Sequence, residues 1–212
     1  MSRTSQPKAV PTVEELAAEL PLLSQTPESW ARLAADDLPT FLADHAICEQ
    51  QAALFGLSLI GHYPDDEELV ELMSALAAEE VSHLRRVVTI LRRRDWPLGK
   101  KRPNPWVAGL RKRVENKRNH LLKVDRLCVG ALIEARSCER FTCLLRVVET
   151  EDPEVARLLH DLGPAEMRHW RMFYRLAKRE LPEDELQERW QGWLEHEREL
   201  SSQGGVGPTV HG

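Results

Sequence analysis

The 212-residue sequence contains no run approaching the roughly 18 consecutive apolar residues of a membrane span, and its opening MSRTSQPKAVP lacks the apolar core of a secretion signal. These absences predict a protein that stays off the membrane and works in the cytoplasm. Cysteine is scarce: four residues, at 48, 128, 138 and 143, with no Cys-x-x-Cys pair among them. That spacing argues against a disulfide framework or a paired-thiolate zinc site and predicts small buried thiols. Strand signals are missing too, because alternating β-branched runs bounded by turn residues do not occur. What remains is ordinary globular composition, 42% hydrophobic and 30% charged, enough for one sizeable domain.

Apolar residues recur at three- and four-residue spacing nearly throughout, so the chain is predicted to be all α. A short helix is expected at Val13 to Leu20, and another after TPESWARLAADD, with Thr26 as cap and Pro27 in the first turn. Long helices are expected at about Pro39 to His62 and Glu67 to Asp95, followed by the proline-rich loop DWPLGKKRPNP and a helix from Val107 to about Asn116. Two more long helices, about Lys123 to Glu149 and Pro153 to Glu180, precede a last helix in PEDELQERWQGWLEHEREL. Helix, tight turn and helix thus occur twice, which predicts a four-helix bundle of two antiparallel hairpins with one long crossover and extra terminal helices. Residues 1–200 form the single expected domain, with 1–12 poorly ordered. The Gly-rich tail 201–212, SSQGGVGPTVHG, is expected to be mobile or laid across the surface.

The net charge of −5 conceals an uneven distribution. Residues 84–126 carry fifteen Lys and Arg against three Asp and Glu, so this segment is +12 and the rest of the chain −17. A basic segment inside an acidic chain is the footprint of a polyanion-binding patch. Its densest points are Arg92, Arg93 and Arg94, then Lys100, Lys101 and Arg102, then Arg111, Lys112 and Arg113. Trp96 and Trp106 flank the loop between them, placed either to stack on bases or to pack the loop onto the bundle.

The two hairpins carry matching chemistry. Glu49 and, 31 residues later, Glu80 with His83 stand in the first; Glu134 and, 32 residues later, Glu166 with His169 stand in the second. In the first hairpin both glutamates lie 13 residues from the turn, about 20 Å along their helices, so they end level with one another. Residues three apart share a helix face, so each Glu-x-x-His presents a carboxylate and an imidazole to one point. One Glu from each of two helices plus Glu-x-x-His from each of the other two is the ligand pattern of ferritin-like di-iron or di-manganese bundles. Oxygen and imidazole donors without thiolate suit iron or manganese. With 24 Glu and 8 His, chance alone predicts about one Glu-x-x-His, so the paired occurrence at repeat positions is the informative fact. Glu79 also stands at helical spacing from His83, but its counterpart in the second hairpin is Ala165, which selects Glu80. Glu139 lies about 140° around the helix from Glu134 and is expected as an outer-sphere partner or a salt bridge. Asp44, Asp125 and Asp161 are further candidates to orient the histidines. Gly163 and Pro164 fall one turn before Glu166, where a lost backbone hydrogen bond would bend the helix and set the carboxylate's reach.

The runs DHAICEQQAA, LAAEEVSHL, CVGALIEARSCERF, PAEMRHW and the closing SSQGGVGPTVHG resemble the bacterial tRNA 2-methylthio-N6-isopentenyladenosine hydroxylase family, a ferritin-like group. The likeness covers the chain from about Leu38 to the end, and IEARSCERF is its most distinctive stretch. It implies an oxygen-dependent monooxygenase that hydroxylates a terminal methyl of the isopentenyl group on the modified adenosine beside the anticodon. It also implies two iron ions held by Glu49, Glu80, His83, Glu134, Glu166 and His169, with O2 as co-substrate and an external electron donor, protein or small reductant. The expected partner is then prenylated tRNA, met by the basic segment, and neither DNA nor a membrane. A ferritin-like oxidase or peroxidase that handles iron or peroxide without RNA is the competing expectation, and a non-catalytic helical RNA-binding module is a third.

Overall fold

The computed structural model describes residues 19–100, 102–114, 119–203 and 207–211. Seven helices and no strand are found among them: α1 (Glu28–Asp36), α2 (Leu38–His62), α3 (Glu67–Arg93), α4 (Pro105–Arg113), α5 (Asn119–Glu151), α6 (Pro153–Ala177) and α7 (Glu183–Gln203). Three starts share one chemistry, an Asp or Asn whose side chain accepts a first-turn N–H beside an early proline: Asp37 with Thr40, Asn104 with Val107 and Asp152 with Val155. Helix α1 departs from expectation. Pro27 itself is the cap, while Thr26 donates its backbone N–H and hydroxyl to Glu139. The crossover helix stops at Arg113, because Val114 leaves helical geometry at ψ 128°, and α5 begins four residues earlier than the periodicity suggested. The helix expected at Val13–Leu20 lies, but for its last two residues, outside the described residues.

Helix α2 packs along α3 and α5 along α6, and α3 meets α6 where the hairpins face each other. Helix α1 covers α2 and α5, while α4 and α7 lie together over α5. Gly130 allows a close approach of α5 to α6: a β-carbon there would stand 2.9 Å from the Phe173 ring. The core has two apolar layers. One gathers Phe41, Leu42, Val87, Phe141 and Leu159; the other gathers Leu59, Met73, Leu127, Phe173 and Trp193. On each of the four bundle helices the predicted ligands fall between residues of one layer and residues of the other. The carboxylates therefore sit at mid-bundle, sealed above and below by hydrocarbon.

Polar groups tie the outer elements down. Arg136, on α5, is 2% exposed and donates to Glu139 at 2.9 Å, to Glu197 of α7 at 2.8 Å and to the Ser24 carbonyl at 3.1 Å. Part of the Gly-rich tail lies in the interior. Residues 209–211 are buried, since Trp30 Nε1 donates to the Thr209 carbonyl, Arg140 donates to the Val210 carbonyl and the Val210 N–H donates to Asp44. With its backbone groups satisfied by side chains, a short coil can lie in the interior.

Asp66 gives a test of this framework. It caps α3 through the Leu69 N–H and accepts from Lys123 of α5 at 2.7 Å and Arg179 at 2.9 Å. Burial pushes its carboxyl up, but the two cations outweigh this and hold it at about 2. A carboxyl lowered on folding adds stability above its unfolded pKa and loses it as pH falls through the folded value. Asp66→Asn is thus expected to lower Tm by about 2–8 °C at pH 7, corresponding to about 1–2 kcal/mol, with the gap closing between about pH 4 and pH 2. Thermal melts across that range check it.

Candidate metal centre and its access cavity

Mid-bundle, the six predicted residues converge. Glu49, Glu80, His83 and Glu166 each offer a donor atom within 4.8 Å of the others, and so do Glu80, Glu134, Glu166 and His169. All are buried, and Glu80 and Glu166 belong to both groups. Two four-donor sets that share two carboxylates would hold two adjacent metal ions. His83 Nδ1 lies 3.2 Å from Glu80 and 3.6 Å from Glu49; His169 Nδ1 lies 3.0 Å from Glu80, 3.7 Å from Glu134 and 3.8 Å from Glu166. Both imidazoles present the same nitrogen to the carboxylates.

The protein without metal pays for this arrangement in protons. Burial, then the neighbouring carboxylate, raises Glu49 and Glu166 well above the usual range, with Glu80 acting on the first and Glu134 on the second. Burial opposes charge on His83, yet Glu49 and Glu80 lift it to about 9, and His169 is raised as well. Glu80, facing both imidazoles, ends below the usual range despite its burial. Four carboxylates in a dry site cannot all ionise without added positive charge. Two atoms underline the point: Glu80 Oε1 and His169 Nδ1 are buried without a hydrogen bond, although they stand 3.0 Å apart. Oxygen-rich donors with two imidazoles and orphaned lone pairs fit a di-iron site.

The comparisons agree with the geometry. The family described as tRNA-(MS2IO6A)-hydroxylase (MiaE) matches residues 14–212. The chain belongs to the MiaE family. A relative in Pseudomonas putida, named tRNA 2-(methylsulfanyl)-N(6)-isopentenyladenosine(37) hydroxylase, is 41% identical over 152 residues, covering 72% of each chain. One of the same name in Salmonella typhimurium is 28% identical over 210 residues, covering 75% of this chain and 76% of its own. Among solved structures, a Synechococcus protein with aldehyde deformylating oxygenase activity superimposes with TM-score 0.83 at 28% identity, covering 90% of this chain and 94% of that one. The MiaE-family bundle is ferritin-like, as the helix pattern predicted.

Around the MiaE cage, Glu139 takes the salt-bridge alternative, bonding to Arg136 on its own helix and to Thr26 before α1, whereas Asp161 pairs with Arg86 of α3 and Asp125 accepts from Arg189 and the Trp193 indole of α7, joining helices to one another. Asp44 holds the tail through the Val210 N–H. The carboxylate that meets the histidines is Glu79. It lies 3.1 Å from His169 Nε2 and 3.8 Å from His83 Nε2, and Arg168 holds its other side at 2.7 Å. Repeat symmetry hid it, because one residue of the first hairpin serves both imidazoles. His45 was missed as well. Its Nε2 stands 2.5 Å from Glu49 Oε1, and burial, then the charge of His83, keeps the ring neutral, with its pKa at about 3. The signal was the four-residue spacing in DHAICE. Outer-sphere carboxylates commonly matter 10- to 100-fold for metal affinity. Glu79→Ala is expected to weaken iron retention by about that factor while Tm moves little, read by chelator competition.

Helix α6 runs through Gly163 and Pro164 without interruption. Pro164 has no N–H to donate to the turn before it, and the Gly163 carbonyl receives the Cys138 thiol at 3.3 Å.

A cavity of about 440 Å³ opens beside the cage, between α2, α5 and the crossover. Ile47, Ala52, Phe55, Val107 and Ile133 form its apolar walls and Glu134 stands in its lining. Arg102, Arg111 and Lys112 line it too, and all three are exposed. The basic segment therefore divides in space. Arg94 is spent on Asp152 and Glu154, Arg93 also pairs with Glu154, and Arg113 lies over the Trp193 ring. Arg92 and Lys100 are exposed, and Lys101 lies outside the described residues. Trp106 is unavailable for stacking on a base: it is 4% exposed, its Nε1 bonds Ser201 and its face is covered by His211. Trp96 packs against the first core layer beneath Arg94.

Proposed function

We propose that this chain hydroxylates the isopentenyl group of 2-methylthio-N6-isopentenyladenosine beside the anticodon of tRNA, at a di-iron centre held by Glu49, Glu80, His83, Glu134, Glu166 and His169. The observation that carries the reading is the cavity, which joins a surface of exposed Arg and Lys to Glu134 through walls of hydrocarbon. Phosphates need the first, a prenyl chain the second and an unactivated methyl group the third. The names of the curated relatives supply the substrate. Two iron ions held by these six residues, given two electrons from a donor outside the chain, would supply the O2-activating chemistry that oxygen insertion into a C–H bond needs.

The chain's own residues hold and orient. Arg102, Arg111 and Lys112 neutralise phosphates near the modified base, while Ile47, Phe55 and Ile133 exclude water from the prenyl chain and aim it at the Glu134 side of the cage. Glu79 and His45 fix the imidazoles and Glu49, so that the donors are set before metal arrives. No helix among the described residues is long and apolar enough to cross a membrane. The proposed site of action is the cytoplasm, where tRNA is modified.

The test is iron-reconstituted protein incubated with prenylated tRNA, O2 and a reductant, followed by mass analysis of the nucleosides. The expected product is the prenylated adenosine heavier by one oxygen atom. Iron oxidation or peroxide consumption at the same rate with and without tRNA, and no oxygenated nucleoside, would favour the RNA-independent oxidase.

A further inference from the structure

His211, near the end of the buried tail, has a place that the metal centre does not explain. Its ring stacks on Trp106 with centroids 4.7 Å apart and planes 5° from parallel. It lines the cavity, is 4% exposed and has its Nε2 3.4 Å from Ser137 Oγ. Its Nδ1 is buried and has no hydrogen-bond partner among the described residues. A buried unpaired polar atom is costly, and because the His211 ring lines the cavity, a small shift of that ring towards the cavity lets a ligand there satisfy Nδ1.

Chemistry narrows what it waits for. The prenyl chain has no hydrogen-bonding atom, so within a prenylated adenine the partner belongs to the purine or its N6–H. Spacing narrows it further. Ser137 stands three residues beyond Glu134 on α5, a rise of about 4.5 Å. The terminal methyl of an isopentenyl group is separated from N6 by four bonds of about 1.5 Å, roughly 5 Å end to end. For a prenyl chain lying along α5 with its methyl level with Glu134, N6 comes level with Ser137 and with the His211 ring beside it.

We infer that His211 is a positioning residue for the substrate: its Nδ1 accepts the N6–H of the prenylated adenine while its Nε2–H turns to Ser137. Burial first, and then the nearby Arg140 and Arg136 charges, hold its pKa far below the usual range, which leaves the neutral imidazole such an acceptor needs. Three contacts fix the imidazole from behind: the Trp106 stack, the Val210 N–H on Asp44 and Arg140 on the Val210 carbonyl. The C-terminal segment thereby supplies a specificity contact on the cavity wall. The inference rests on the reading of that cavity as the prenyl site.

The experiment compares wild type with His211→Phe, which keeps a ring against Trp106 but has no acceptor, and His211→Gln, which restores one. Each is assayed on an anticodon stem-loop carrying the prenylated adenine and on the same RNA with N6 additionally methylated, which removes the N6–H. His211→Phe is expected to retain wild-type iron and Tm while kcat/KM on the natural base falls about 10- to 100-fold, with partial recovery in His211→Gln. On the N6-methylated RNA, wild type and His211→Phe should turn over alike, because the bond is already gone. Wild-type kcat/KM in His211→Phe, or an equal fall on both RNAs, would overturn the assignment, as would a fall that tracks lost iron or lowered Tm in both variants. No oxygenated nucleoside from wild type would instead fail the hydroxylase reading itself.

Discussion

Glu80→Ala is expected to empty both metal positions and to reduce hydroxylation by at least about a hundredfold. The reason is its membership of both donor groups: it faces His83 at 3.2 Å and His169 at 3.0 Å, so one substitution removes a carboxylate from each ion. Loss of an outer-sphere partner alone weakens metal sites 10- to 100-fold, and loss of a shared inner donor has to exceed that. Glu49→Ala removes a donor from one group only and should leave an iron content between those of wild type and Glu80→Ala. Iron analysis on the three proteins, purified in parallel, reads the order. Equal iron in Glu80→Ala and wild type would contradict the shared role.

Ala52→Trp is expected to do the opposite: iron stays and the tRNA reaction stops. Ala52 lines the cavity on α2, one turn beyond Glu49, is not one of the donors, and an indole there occupies the space assigned to the prenyl chain. Misplacing a substrate by about 1 Å can cost 10²-fold, and excluding its reactive end costs at least as much. Hydroxylation should therefore fall about a hundredfold or more, while O2-dependent oxidation of bound ferrous iron without tRNA continues at the wild-type rate. A variant that hydroxylates normally would place the prenyl chain elsewhere.

Much of the bundle was legible because physics acts locally there. The 3.6-residue period, with prolines early in two of the starts, set four long helices to within a few residues, and two Glu-x-x-His runs at matching positions marked the level of the cage. What escaped depends on where side chains point after packing. Glu79 sits beside a predicted ligand and faces His83 one turn on, yet it also reaches across the hairpin interface to His169, a relation that no repeat pattern encodes. The basic run looked continuous in sequence, but Arg93 and Arg94 turn towards the acids at the start of α6, whereas Arg102, Arg111 and Lys112 surround the cavity. Glycines in the tail suggested disorder, although residues 209–211 are held by Trp30, Arg140 and Asp44, none of them near it in the chain. The distinctive IEARSCERF stretch divides its labour: Glu134 faces the cage, while Arg136 and Glu139 anchor α7 and the segment before α1.

The measurement closest to the centre of this account is an anaerobic titration of ferrous iron into the metal-free protein, with bound iron counted per chain. Two overlapping donor sets predict saturation at two irons per chain in the wild type and loss of both in Glu80→Ala. Saturation at one, or wild-type protein that binds none under those conditions, would contradict the di-iron centre on which the proposed hydroxylation depends.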